Sequence, residues 1–321
     1  MPMYRASTLA LPTVRLEQTG RVLTCRVDAP PFNYMTTHMQ RDLIRLVDAV
    51  ERDKTIGAVV VTGALPGRYI THFDIADLLT AAESVPQLPR PVVAALLGGV
   101  RAVAGVSGER LIARSPLAGM LGVIQFHEMV LKLLRSPAVW IGAVNGPCGG
   151  GGLELSLFFD LRVAAEHDAV FVVPELSIGL TTTVGGQRLT HLVGPARAIE
   201  LLLEARQVTA REAARIGLVN RVVPAAALLQ NAQRMAARYA TRPRQVVAAQ
   251  KRIVNEAYTD TTRQSLTREG IAQIAGVPSR ETRAALRAWL GMQEGTDGDS
   301  VFLTNPDPWA EGTAVDMNVR P

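Results

Sequence analysis

The chain has 321 residues, 48% hydrophobic and 20% charged, enough apolar sequence for one large or two smaller cores and too few charge blocks for a disordered body. Its net charge of +5 is dispersed and aromatics are only 5%, without the clustered basic stripe and interleaved rings of a nucleic-acid binder. Two cysteines far apart, Cys25 and Cys148, exclude a disulfide framework and favour a reducing cytoplasm.

In chain order, residues 1–12 carry one arginine and no sustained apolar run, so no targeting segment is expected. Residues 13–27 read as a hairpin turned at Gln18-Thr19-Gly20. Residues 36–53 form an amphipathic helix with Met39, Leu43, Leu46, Val47 and Val50 on one face. Residues 58–62 are a buried strand ended by Gly63. Residues 91–108 are apolar, but Gly98, Gly99, Arg101 and Gly105 interrupt them, short of the roughly 20 apolar residues of a membrane span. This stretch reads either as a covered helix and loop or as a lid. Residues 138–145 are a second buried strand, and 160–166 a third. From about Val208 the pattern turns helical, with apolar stripes over residues 212–216, 225–242, 244–257 and 279–292. Residues 294–321 are polar and non-periodic, read as an extended tail, a partner-contacting arm or coil. His38, His127, His167 and His191 are scattered without metal-ligand spacing, so no metal is expected.

The most informative segment is Asn145-Gly-Pro-Cys-Gly-Gly-Gly-Gly-Leu-Glu154-Leu-Ser156. A strand, a glycine-rich turn and a helix start make an anion site, because glycines allow close approach and the first helical N–H groups lack partners. A tight buried turn needing glycine for steric reasons alone is the other reading. Neither a Walker P-loop nor a dinucleotide turn fits, since Leu153-Glu154 stand where Lys-Ser/Thr or a third glycine would be needed. A carboxylate there would repel phosphate but would suit a site where N–H donors hold a developing oxyanion while the carboxylate moves protons. Glu175, in Phe171-Val-Val-Pro-Glu-Leu, is a second carboxylate in an apolar setting, and the intervening chain is long enough to bring the two together.

These segments resemble the crotonase (enoyl-CoA hydratase/isomerase) superfamily. Residues 145–155 are similar to its second oxyanion segment. Pro174-Glu175-Leu176 with Gly185-Gly186-Gln187-Arg188-Leu189 resembles the second catalytic segment. Residues 210–223 resemble the "A-x-x-A-x-x-x-G-L-V-(N/D)-x-V-V" stretch, and Asp74-Ile75 the first oxyanion loop. The resemblance covers residues 12–292. It implies an α/β fold: a crotonase-like spiral of ββα units over residues 1–207, with an insertion at about 83–116. A C-terminal helical oligomerisation region (208–293) and the tail would follow.

The resemblance further implies that the N–H groups of Gly151 and Phe73 hold a thioester oxyanion, with Glu154 and Glu175 as an acid–base pair. It implies an acyl-CoA substrate, no separate cofactor, and a homotrimer or dimer of trimers. Hydration of a 2-enoyl-CoA is the leading expectation, because both glutamates are present. Isomerisation, decarboxylation, hydrolysis and a weakly catalytic CoA-ester scaffold are the alternatives. Phe32, Ile70, Thr71, Asp74 and Gly150 are expected along the substrate, and Lys251 at a CoA phosphate. Thr71-His72-Phe73-Asp74 departs from the family's Ala-Gly-Ala-Asp, so Phe73 should reshape the acyl pocket. His72 either takes a catalytic or acyl-contacting role or fills space beside the sheet. The loop Thr181-Thr182-Thr183-Val184 replaces a Pro-Gly-containing loop. The 83–116 insertion becomes a candidate acyl-pocket lid.

Overall fold

The computed structural model describes residues 5–104, 109–256, 259–294, 296, 299–310 and 313–315. Strands β1 (Val14–Thr19) and β2 (Val22–Val27) form the expected hairpin, turned at Gly20 in the left-handed region (φ 57°). Helix α1 (Thr37–Arg52) follows, its first turn capped by Thr36, whose hydroxyl accepts the Met39 N–H. Met39, Leu43, Leu46, Val47 and Val50 are all buried, as the periodicity required. Strand β3 (Ala58–Gly63) is buried throughout and runs parallel to β2.

Helices α2 (Ile75–Ser84), α3 (Arg90–Val103), α4 (Glu109–Ile112) and α5 (Ala118–Arg135) intervene before strand β4 (Val139–Val144). Strand β5 (Cys148–Gly149) and helix α6 (Gly150–Ser156) come next, then β6 (Leu161–Ala165) and β7 (Val170–Val172). Helices α7 (Gly185–Val193) and α8 (Pro195–Glu204), strand β8 (Val208–Thr209), helix α9 (Ala210–Arg215) and strand β9 (Arg221–Val223) complete the strand-bearing part. The larger sheet has the order β1-β2-β3-β4-β6-β9, parallel except for the hairpin, and the smaller one β5-β7-β8. Two successive turns of chain, β4-β5-α6 and β6-β7-α7, thus lay one strand in each sheet and then a helix, in the manner of the expected spiral.

Helix α10 (Leu228–Tyr239) packs on the large sheet, followed by α11 (Arg244–Glu256), α12 (Thr259–Gly276), α13 (Arg280–Gln293), α14 (Val301–Thr304) and α15 (Asp307–Ala310).

Three features differ from the sequence reading. The chain does not leave the sheets at residue 208, because β8 and β9 pair with β7 and β6. Short strands of two or three residues carry no alternation to read. Helix α12 was not foreseen: its described buried positions, Leu266, Gly270 and Gln273, share one face, but two of them carry no apolar side chain, so no apolar stripe marks the helix. The tail is not an extended arm over its described residues. Val301, Phe302 and Trp309 are buried against α2 and α13 in a second apolar cluster with Trp289 and Ile75.

Over its described residues the insertion is largely helical and packs one face on α5, while Val92, Val103 and Leu111 stay exposed. Leu97, Val100 and Ile112 pack with Met120, Leu121 and Ile124 of α5 in a third cluster. Among the described residues, no helix is long and apolar enough to cross a membrane.

Candidate active site

The four glycines each meet a different neighbour where β4 hands over to α6. Gly150 sits in the left-handed region (φ 43°), which any side chain would strain. A Cβ on Gly151 would lie 2.3 Å from the Phe73 ring, and one on Gly152 would lie 2.0 Å from the Ile70 carbonyl oxygen. Glycine is therefore sterically required at these positions. The Gly151 N–H lies in the first turn of α6, where helical N–H groups have no intrahelical acceptor.

The facing loop is held by a parallel bridge to Met35. Met35 N–H donates to the His72 carbonyl (2.7 Å) and Asp74 N–H to the Met35 carbonyl (3.2 Å). The Phe73 N–H between them takes no part in this bridge. Its ring packs edge-on to Phe126 at 5.8 Å.

Glu154 and Glu175 both reach one cavity, with Phe73, Gly150, Gly151, Thr183 and His72. The space left is about 30 Å³, above the ~10–15 Å³ that a single water needs. Ile75, Leu78, Ile178, Leu180 and Phe302 make its apolar wall.

The two carboxylates stand in opposite surroundings. Glu154 Oε1 accepts three backbone N–H bonds, from Thr183 (2.7 Å), Val184 (3.0 Å) and Gly185 (2.8 Å). Burial pushes its carboxyl up to about 7, against the pull of those donors, and the Glu269 charge adds to the rise. Glu175 is buried, and its Oε2 has no hydrogen-bond partner. Burial and the neighbouring Glu154 charge hold its carboxyl well above the usual range.

His72 turns away from the carboxylates into an aromatic cluster. Its ring stacks on Tyr34 at 4.5 Å and meets Trp289 and Phe302 edge-on at 5.4 and 5.7 Å. Nδ1 lies 2.6 Å from the Phe73 carbonyl, which can only accept, so Nδ1 carries the proton and Nε2 accepts from the Ser300 hydroxyl at 2.9 Å. Burial lowers its pKa to about 4 and keeps it neutral. The space-filling reading fits, with an addition the sequence did not carry: the histidine pins the tail.

The other candidates divide. Thr71 is buried and structural. Its hydroxyl donates to the Phe32 carbonyl (2.8 Å), and its own carbonyl accepts the Gly149 N–H (2.7 Å). Ile70 is buried in the main core and offers only backbone, while Phe32 is half-buried and stacks on Tyr34 at 4.8 Å. The Asp74 carboxylate caps α2, accepting from Ala76 N–H (2.8 Å) and Asp77 N–H (3.3 Å). Lys251 is not brought to the cavity. Its ammonium donates to Asp160 (2.8 Å) and the Ala138 carbonyl (3.2 Å), ties that already satisfy a buried cation. No described residue of 83–116 lines the cavity. Phe302, Gln273, Ser300 and Glu269 were missed, because nothing in their local pattern marks residues so remote in sequence.

Residues 118–290 match the family described as Enoyl-CoA hydratase/isomerase. The chain belongs to that family. It is 29% identical over 249 residues to the short-chain-enoyl-CoA hydratase of Clostridium acetobutylicum, covering 77% of this chain and 82% of that one. It is 30% identical to a Dictyostelium discoideum protein named "Probable enoyl-CoA hydratase, mitochondrial", over 92% of this chain and 90% of that one. The crystal structure of an enoyl-CoA hydratase/isomerase from Xanthobacter autotrophicus Py2 superimposes with a TM-score of 0.71 at 26% identity, covering 94% and 98% of the two chains. The protein is thus an enzyme of the hydratase/isomerase family with the crotonase fold.

Proposed function

We propose that this family member hydrates 2-enoyl-CoA thioesters to 3-hydroxyacyl-CoA. The observation that carries the reading is the pair of buried carboxylates with opposite surroundings on one water-sized cavity. Three N–H donors favour the ionised form of Glu154, and the bare buried oxygen of Glu175 favours its protonated form. Such a split assigns base and acid.

A water between them loses a proton to the Glu154 carboxylate as its oxygen bonds to C3 of the conjugated thioester. The π electrons move onto the thioester oxygen, which the Phe73 and Gly151 N–H groups hold as an oxyanion. The enolate then collapses and C2 takes the proton of Glu175. Glu154 ends protonated and Glu175 ionised, and proton exchange restores the pair. No redox step or separate cofactor is required, since CoA arrives with the substrate.

The acyl group would lie along Ile75, Leu78, Ile178 and Leu180, displacing the Phe73 ring or Phe302 from the closed cavity. A homotrimer or dimer of trimers is part of the proposal. Exposed Ile199 and Leu203 on α8, with Val246, Ile253 and Val254 on α11, are apolar side chains of the kind partners cover.

The test is turnover of short, long and aromatic 2-enoyl-CoA esters followed by mass spectrometry, with Glu154→Gln alongside. A gain of one water, absent in the variant, is expected. An isomer or free acid in its place would overturn hydration in favour of the family's other enolate chemistry.

A further inference from the structure

The loop that holds Glu154 is itself held from outside the site. Helix α7 begins at Gly185 with no side-chain cap of its own from Val184. Glu269, on α12, supplies one across space. Its Oε2 accepts the Thr182 hydroxyl (2.7 Å) and the Gly186 N–H (3.2 Å), and its Oε1 accepts the Gln187 N–H (3.2 Å). Thr182 closes the arrangement by accepting the Gly186 N–H at 3.1 Å. On the other side, His127 of α5 places Nε2 3.2 Å from the Thr183 carbonyl. The N–H groups of Thr183, Val184 and Gly185, which grip Glu154, are thus strung between two braces.

We propose that Glu269 is a positioning residue of the acid–base pair: by capping α7 and bracing Thr182, it holds the three N–H donors on Glu154 and so sets which carboxyl is the base. The inference rests on the proposed reaction only for its catalytic consequence. It goes beyond the two-glutamate pattern by adding a third carboxylate from the far end of the chain.

The sign follows from the contacts. Losing the brace loosens the donors, and a carboxylate with fewer N–H partners binds its proton more tightly. The Glu269 charge acts in the same sense as that loss, since it raises Glu154 while present. A variant that keeps the charge but withdraws the oxygens therefore isolates the brace. The other titratable groups around the loop are Glu175, neutral His72 and His127, Arg188 and His191 on α7, Arg101 on α3, and Glu128 and Arg263, which pair with each other.

The experiment is an infrared pH titration of the unliganded full-length protein, with the Glu154 carboxyl band assigned by its loss in Glu154→Gln. In Glu269→Asp, whose side chain is one methylene shorter, the band is expected to titrate at higher pH by half a unit or more, about a threefold change in proton affinity. Thr182→Val, nearly isosteric, should move it the same way by less, and it decides the matter if Glu269→Asp does not fold. An unmoved or downward-shifted band in both variants would overturn the proposal. Because the readout needs no turnover, failure of the hydratase reading would leave it intact. Where hydration is seen, the acid limb of kcat/KM should move with the band.

Discussion

The site is assembled from two regions that do different work. The strand-borne region, from the Thr71–Asp74 loop through the glycine turn to Glu175, carries the N–H donors and both carboxylates. The helical region, from α12 through the tail, touches no reacting atom in the proposed chemistry, yet it closes the apolar wall with Phe302 and pins His72 through Ser300. The first is joined largely through backbone groups, such as the Gly149 N–H on the Thr71 carbonyl and the Thr183, Val184 and Gly185 N–H groups on Glu154. The second is built from pairs remote in sequence, and it determines how dry and how charged the first region is. One segment holds the chemistry, and another sets the medium in which it runs.

The largest break in the comparison should come from the carboxylates. Glu154→Gln and Glu175→Gln should each lower kcat by about 10³-fold with the fold intact, within the range for general acid–base groups; circular dichroism beside steady-state rates checks this. Wild-type kcat/KM should rise with pH through about 7, as Glu154 loses its proton. Its carboxyl is held above the ordinary 4.5, so its contribution to stability is fully present below that pH and is lost as pH rises through about 7. Melting temperature measured across that window should therefore fall.

Gly151→Ala comes next. The added methyl would meet the Phe73 ring at 2.3 Å, and displacing an oxyanion donor costs on the order of 10²-fold in kcat. A near-normal rate would remove the Gly151 N–H from the oxyanion hole.

Changes in the helical region should act on access and stability instead. Phe302→Ala should destabilise by about 3 kcal/mol and raise relative turnover of longer acyl esters, read as the kcat/KM ratio between long and short substrates. An unchanged ratio would detach the tail from specificity. Acid should open this region before the sheets. The neutral form of His72, whose pKa is depressed from 6.5 to about 4, contributes stability above 6.5 that is lost as pH falls through about 4. Hydrogen exchange should quicken at residues 299–304 while the sheets stay protected. Ser300→Ala should have the smallest effect, about 1 kcal/mol from one hydrogen bond to His72, with kcat almost unchanged.

The α/β order, the buried strands, α1 and the glycine turn were legible in the sequence because each is written in adjacent residues: an apolar period, a cap, a run of glycines. The positions of Glu154 and Glu175 were legible for the same reason, through motifs that span a single turn. Helix α12 was not, since its buried face is made by Leu266, Gly270 and Gln273 and so shows no apolar stripe, and Glu269 on it looked like any helical carboxylate. The tail's polar composition hid three buried anchors, Val301, Phe302 and Trp309. Lys251 was read toward a phosphate, and only packing showed its ammonium tied to Asp160. The proposed split between base and acid is likewise a matter of tertiary structure. Proton affinity depends on burial and on through-space donors, and those are set by chain segments that a linear reading cannot bring together.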